Sequence, residues 1–180
     1  MKSINRYITE KLRISKGTSH TLFPKSRADL INIIIEETKK NGNRCSLNHV
    51  DTSNIGTMSY LFGDSNKNFN GDISEWDVSN VTNMCGLFWY SDFNGDISGW
   101  DVSKVENMSG MFSNSSFNNN SICNWDVSNI LNMRNVFANS PFNQDISGWN
   151  INSDADISNI FYSCPIKNEY KPYQNNKRIK

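Results

Sequence analysis

A block of about 25 residues recurs through the middle of the chain, and this repeat constrains the fold more than any other feature. Its fullest copy is FNGDISEWDVSNVTNMCGLF at positions 69–88; further copies begin at Phe93, Phe117 and Phe142, and a shorter copy spans 47–62. The tryptophans of the four full copies are spaced by 24, 25 and 24 residues. A fixed period of this length is typical of a solenoid, in which one repeat cannot bury its own apolar side and stacking supplies the core.

The apolar positions within one copy predict a strand followed by a helical turn. Trp76 and Val78 alternate with polar residues, which indicates a short strand with one buried face. Met84, Leu87 and Phe88 are spaced i, i+3, i+4, which is typical of a helical turn. We therefore predict an α/β repeat solenoid: a leucine-rich-repeat-like, right-handed coil of about five units with parallel short strands.

Equivalent residues of successive copies are expected to stack into interior rows. One row contains Val50, Trp76, Trp100, Trp125 and Trp149, and the other contains Phe62, Phe88, Phe112, Phe137 and Phe161. Burial of each large side chain is worth about 2–3 kcal/mol. These rows would let a chain with only 37% hydrophobic residues form a stable core. The asparagines before each methionine are expected to bond to turn backbone.

Two rows of aspartates raise the question of a calcium site. The first row contains Asp51, Asp77, Asp101 and Asp126, and the second, in the return turns, contains Asp72, Asp96 and Asp145. Rows of carboxylates could hold Ca²⁺, but like charges about 5 Å apart repel. Because the third copy replaces its return-turn aspartate, we favour aspartates that accept backbone N–H bonds in their turns, and we predict no cofactor and no metal.

The motif WDVSNVTNM-x-G-x-F, with FNGDIS between copies, resembles the BspA-like leucine-rich-repeat surface proteins, also called Mycoplasma-type lipoprotein repeats. The resemblance covers Leu47 through Phe161. It implies a solenoid fold and a role in protein binding or adhesion, and it supplies no catalytic residues. The last copy departs from the pattern, since Asn150 replaces the usual aspartate and Asp154 replaces an apolar residue. This degraded copy is expected to be a terminal coil.

The regions outside the repeats are predicted to cover the two ends of the solenoid. We divide the chain into an N-terminal strand-helix cap (1–46), a five-unit solenoid (47–161) and a C-terminal cap with a basic tail (162–180). The cap is predicted to contain a strand over Arg6–Ser15 and an amphipathic helix that begins after Ser26, ends at Gly42 and covers the first coil. Residues beyond Pro172 are expected to be disordered.

Charge is unevenly distributed, although the net charge is zero. The N-terminal region has 10 Lys/Arg and 4 Asp/Glu, the repeats have 3 and 13, and the C-terminal region has 5 and 1. The acidic repeats argue against nucleic acid along them. Nucleic-acid binding through the basic ends remains an alternative, and the residues that would carry it are Lys11, Arg13, Lys16, Lys25, Arg27, Lys177, Arg178 and Lys180.

No recognisable catalytic motif accompanies the repeats, so we predict that the protein is not an enzyme. The four cysteines form no C-x-x-C pair, and His20 and His49 lie in no catalytic or metal-binding motif. The N-terminus has no apolar run or cleavage pattern of a signal peptide, and no segment is apolar enough to span a membrane. We therefore expect free thiols and a cytoplasmic location.

Function in a repeat protein tends to lie where one copy departs from the others at an exposed position. Such departures, together with an acidic strip along the strands, give a predicted partner-binding set: Trp89, Tyr90, Glu75, Asp77, Asp101, Lys104, Asp126 and Arg134. The leading hypothesis is a non-enzymatic module that docks on another protein, for example a phage or mobile-element inhibitor or adaptor acting on a host protein. A surface adhesin fragment is an alternative. We favour a monomer, with a dimer through exposed solenoid ends left open.

Overall fold

Residues 19–63 and 66–179 are described by the structure, which is a computed structural model. Within these ranges the only α-helix is α1, Arg27–Asn41, and it precedes all the repeats. The only regular strands are β1, Tyr173–Gln174, and β2, Lys177–Arg178, which pair antiparallel after the last repeat. Two short 3₁₀ helices are also present, Asn120–Ile122 in the third repeat and Asn168–Tyr170 in the tail, and the repeats are otherwise built from turns.

Helix α1 forms where the sequence predicts it. The Ser26 hydroxyl oxygen accepts a hydrogen bond from the Asp29 amide at 3.1 Å, and Gly42, with φ of 82°, ends the helix. Leu30 and Ile34, one turn apart, are fully buried in the same hydrophobic cluster as the repeats. The predicted amphipathic helix is thus confirmed. The predicted strand over Arg6–Ser15 lies outside the described residues.

The predicted fold class, an α/β leucine-rich-repeat-like solenoid with parallel strands, is wrong. The described repeats contain neither a regular strand nor an α-helical turn. Neighbouring repeats meet instead at single isolated parallel bridges, one in each repeat, which connect Thr57, Asn83, Asn107, Asn132 and Asp156 in succession. The segment predicted as a helical turn, Thr82 to Phe88, is a series of tight turns.

Left-handed backbone conformations explain why tight turns replace the predicted helical turns. Equivalent residues in the five repeats have φ between 52° and 63°, namely Tyr60, Gly86, Gly110, Asn135 and Asn159. A second left-handed residue follows four positions later in four repeats, at Tyr90, Asn114, Asn139 and Ser163. A single such residue interrupts both a helix and a strand, because both need negative φ. Left-handed residues therefore break the segment of each repeat that was predicted to be a helical turn.

The predicted interior rows are confirmed. The ring centroids of Trp76 and Trp100 are 6.5 Å apart and nearly parallel, as are those of Trp100 and Trp125. Each of the four tryptophans donates its indole N–H to a main-chain carbonyl of the preceding repeat at 2.9–3.3 Å. In the phenylalanine row, neighbouring centroids are 5.3–5.8 Å apart. These rows are the core that holds one repeat against the next.

The C-terminal tail is ordered, contrary to the prediction of disorder beyond Pro172. Ile179 is buried, and its amide donates to the Pro172 carbonyl, closing the β1–β2 hairpin. The Gln174 side-chain amide donates to the carbonyls of Asn152 and Ala155 at 2.8 and 3.0 Å. The tail is anchored because it completes hydrogen bonds of the last repeat, a role that its irregular sequence does not reveal.

Candidate functional site

Three aromatic side chains form a cluster on the surface of the first two repeats. Trp89 packs edge-on against Tyr60 of the preceding repeat, with ring centroids 6.1 Å apart, and edge-on against Tyr90 at 4.6 Å. Tyr60 and Tyr90 are about half exposed, and Trp89 is partly buried. Trp89 therefore folds back over the preceding repeat, while the cluster as a whole remains open to solvent.

Gly86 allows Tyr60 to lie across the second repeat. Both residues have left-handed backbone, which places them at equivalent positions in adjacent repeats. A Cβ atom added to Gly86 would lie 2.6 Å from Cδ1 of the Tyr60 ring, whereas one added to Gly110, in the next repeat, would meet nothing closer than 4.0 Å. Because Gly86 has no side chain, the Tyr60 ring can lie over it and contact Trp89.

An open depression of about 360 Å³ extends from this cluster across the next two repeats. Tyr60 and Trp89 line one part of it, and Arg134 lines another. The remaining lining residues are mostly small or polar: Cys85, Gly86, Ser109, Gly110, Ser113, Asn132 and Asn135. The surface therefore combines an aromatic wall, hydrogen-bonding groups and one cation, with no carboxylate among its lining residues.

A short chain of hydrogen bonds fixes the polar side of the depression. The Ser109 hydroxyl donates to the Cys85 sulfur at 3.2 Å, and the Cys85 thiol lies 3.6 Å from the Tyr60 hydroxyl oxygen. The hydrogen bond with Cys85 raises the pKa of Tyr60 above its ordinary value. Arg134 contacts Asp156 across an exposed ion pair of 3.4 Å, which contributes little stability but orients the guanidinium.

The structure brings together three of the eight residues predicted to bind a partner. Trp89 and Arg134 line the same depression, and Tyr90 extends its aromatic wall. The other five lie outside the lining residues: Glu75, Asp77, Asp101, Lys104 and Asp126. Lys104 donates to the Asn80 side-chain oxygen at 2.9 Å, so it contacts the preceding repeat. The depression therefore contains only part of the predicted set, and the binding role of these residues stays a prediction.

Tyr60 is a member of the site that the sequence analysis missed. It belongs to the short first copy, where the repeat pattern is weakest. One feature of the sequence could have identified Tyr60. The equivalent residues in later copies are glycine or asparagine, which adopt left-handed backbone most readily. A tyrosine at such a position is uncommon and points to a specific role.

The aspartate rows cap turns, as the sequence analysis favoured. In both rows, one carboxylate oxygen of each aspartate accepts a hydrogen bond from the amide of the serine two residues later, at 2.9–3.1 Å. Hydrogen bonds from that serine lower the pKa of Asp126 and of Asp145. Among the described residues, no group of three His, Cys, Asp or Glu side chains could hold a metal ion.

The basic residues proposed for nucleic acid are divided between the ends, and two of them are used internally. Arg27 donates from Nε to the Ser59 carbonyl, and Arg178 contacts the Asn168 carbonyl and packs on the Tyr173 ring. Lys25 and Lys177 are exposed. Residues 11, 13, 16 and 180 lie outside the described ranges, so the structure does not place the full set.

The four cysteines are all unpaired and partly buried. Burial raises the pKa of the Cys45, Cys123 and Cys164 thiols, which disfavours the reactive thiolate. His49 lies 3.6 Å from Glu37, a contact between the first repeat and α1. Within the described ranges, no helix has the length and hydrophobicity needed to cross a membrane.

Comparison with known proteins identifies a family. The family model described as "Mycoplasma protein of unknown function, DUF285" matches the chain twice, over residues 30–139 and 89–176, and so covers most of helix α1 and all the repeats. No curated protein and no solved structure matches the chain significantly. The resemblance to Mycoplasma-type repeats is therefore supported at the level of the family, and the chain belongs to the Mycoplasma family DUF285.

Proposed function

We propose that this protein is a non-enzymatic binding module that docks on another protein through the depression beside Tyr60, Trp89 and Tyr90. The observation that carries the proposal is this aromatic cluster, because three large rings meet edge-on at the surface and two of them are half exposed. Tyrosine, tryptophan and arginine are the residue types most often found at the energetic centre of protein interfaces. Arg134 supplies the third of these types in the same depression.

The site favours a protein partner over nucleic acid for two reasons. The repeats as a whole have 13 Asp/Glu against 3 Lys/Arg, and this net negative charge disfavours the approach of a phosphate backbone, although no carboxylate lines the depression itself. Arg27 and Arg178, two of the basic residues at the ends, already donate to main-chain carbonyls of this chain. Stacking of bases on the exposed rings would lack the surrounding positive charge that nucleic-acid-binding surfaces provide.

We also propose that the chain is related to the BspA-like surface proteins, a relationship that the DUF285 match alone does not establish. That relationship rests on the WDVSNVTNM and FNGDIS motifs, and it favours adhesion or another protein-binding role. An inhibitor or adaptor acting on a host protein would use the same exposed depression. Identification of the bound protein would distinguish an adhesin from an inhibitor or adaptor.

The experiment captures a partner and then measures its affinity. Tagged protein is used to recover bound proteins from native cells and from the surface of host cells, with and without nuclease. The recovered protein is then purified and titrated against the wild type and the variants. Trp89→Ala should weaken binding by about 30-fold, because truncating a central aromatic anchor typically costs about 2 kcal/mol. Phe23→Ala is the matched control, since it truncates an exposed ring outside the depression.

Two outcomes would contradict the proposal. Equal affinities of the wild type and Trp89→Ala would place the interface elsewhere. Recovery that disappears with nuclease, together with a steep fall in affinity as salt rises, would transfer the function to the basic ends. Far-UV circular dichroism of each variant confirms that the fold is retained before any affinity is compared.

A further inference from the structure

Alternate backbone amides connect each repeat to the next one. In the second repeat, the amides of Met84, Gly86, Phe88 and Tyr90 donate to carbonyls of the third repeat at 2.8–3.1 Å. The intervening amides, such as that of Leu87, close turns within their own repeat. The same alternation recurs in the third and fourth repeats, with interrepeat distances of 2.7–3.0 Å. Every donor of the alternating row thus points toward the C-terminal end of the array.

The last repeat forms this row of donors but meets no acceptor. The corresponding amides are those of Ile157, Asn159, Phe161 and Ser163, and none of them has a hydrogen-bond acceptor among residues 19–63 and 66–179. The intervening amides of Ile160, Tyr162 and Cys164 close the usual local turns, so the row has its normal conformation. Asn159 and Ser163 retain the left-handed backbone of their equivalents. We name these four amides the C-terminal edge.

The tail covers only part of this end. The Ile146 amide donates to the Tyr170 carbonyl, and Asn150 forms a parallel bridge with Tyr173, so the tryptophan side of the last repeat is closed. On the other side, Tyr162 is 62% exposed and the C-terminal edge is left open. The Lys171 ammonium lies over the Phe161 ring at 5.6 Å, and the ring itself is only 7% exposed.

The N-terminal end of the array is closed by contrast. In the first repeat, the carbonyls that face away from the second repeat include those of Ser59 and Leu61. The Arg27 side chain donates to the former, and the Asn66 side-chain amide donates to the latter at 3.1 Å. Helix α1 is packed against this end through Leu30 and Ile34. A second copy of the chain therefore has no free carbonyl row to offer.

We propose that the C-terminal edge docks a repeat of this same turn type presented by a different protein. The edge holds donors alone, so two copies cannot pair edge to edge, and the closed N-terminal end excludes head-to-tail pairing of copies. An extended strand does not match, because the left-handed residues fold the donor row into successive turns. The interfaces between the repeats of this chain show the required acceptor, namely carbonyls at alternate positions of another such repeat.

The test uses amide hydrogen exchange, followed by NMR, on the full chain. In the free protein, the four amides of the C-terminal edge should exchange at least about 100-fold faster than the equivalent amides of Met133, Asn135, Phe137 and Asn139, which are bonded to the last repeat. Comparable protection of the two sets in the free protein would overturn the proposal, because the edge would then not be open.

A tethered repeat supplies the acceptor at high local concentration. The probe is the full chain extended after Lys180 by a Gly/Ser linker of roughly 20 residues, with a span of about 25 Å, and a copy of residues 141–164. Exchange of the C-terminal edge amides should slow by about tenfold or more. A tether with the same residues in scrambled order is the matched control. Equal exchange with the two tethers would refute the proposal, and changes centred on Trp89 would refute it while leaving the proposed function intact.

Discussion

Substitution of Gly86 and Gly110 by alanine tests how the aromatic cluster is held in place. The two glycines occupy equivalent left-handed positions, with φ of 59° and 63°, in adjacent repeats. Gly110→Ala should cost about 1–2 kcal/mol, the usual penalty for placing alanine in this conformation. Gly86→Ala carries the same penalty and also a collision with the Tyr60 ring. The ring can swing toward solvent, at the expense of its edge contact with Trp89, so we expect about 1 kcal/mol more.

The measurement is urea unfolding of the two variants, analysed by linear extrapolation after two-state behaviour has been checked with two probes. A Tyr60→Ala/Gly86→Ala double variant should show a non-additive recovery, because the collision partner has been removed. Tyr60→Ala alone supplies the fourth corner of this cycle. Equal destabilisation by Gly86→Ala and Gly110→Ala, or additive effects in the cycle, would refute the inference that Tyr60 lies across Gly86.

Three further predictions concern the core and the turns. Phe112→Ala should reduce the free energy of unfolding by about 3–5 kcal/mol, since this fully buried ring stacks on both neighbouring repeats, whereas exposed Leu131→Ala should change it by less than about 0.5 kcal/mol; urea unfolding compares them. Trp100→Phe should cost about 1–2 kcal/mol in the same assay, because the indole N–H bond to the Ile73 carbonyl is lost; an unchanged midpoint would show that this bond adds nothing. Stability should fall as the pH drops below about 4, because hydrogen bonds hold the pKa of Asp126 below its unfolded value, and Asp126→Asn should reduce that dependence in acid titrations monitored by circular dichroism.

The interior of the protein could be predicted from sequence because it depends on residue identity at a fixed period. The tryptophans and phenylalanines recur at constant spacing, and large apolar side chains in register have one low-energy arrangement, which is to stack. Helix α1 could be predicted for a similar reason, since Ser26 and Gly42 mark its ends with local chemistry. These features need no knowledge of backbone conformation between the apolar positions.

The backbone of the repeats could not be predicted in the same way. The spacing of Met84, Leu87 and Phe88 fits a helical turn, and the left-handed residue Gly86 between them overrides that pattern. The equivalent position is tyrosine, glycine or asparagine in different repeats, so no single residue type marks it in the sequence. The candidate site was only partly predictable for the same reason. Trp89 and Arg134 stand out as departures from the repeat, whereas Tyr60 reaches the depression because its backbone is left-handed.

Length differences between repeats all fall on one side of the array. The third repeat has one extra residue between Phe117 and Ile122, where the short 3₁₀ helix Asn120–Ile122 forms, yet Trp100 and Trp125 still stack at 6.5 Å. The first repeat has its two extra residues between Phe62 and Phe69, and those two rings remain 4.8 Å apart. Evolution can therefore lengthen these return turns without disturbing the core. The same positions are the natural places for an engineer to insert an epitope or a fluorescent label.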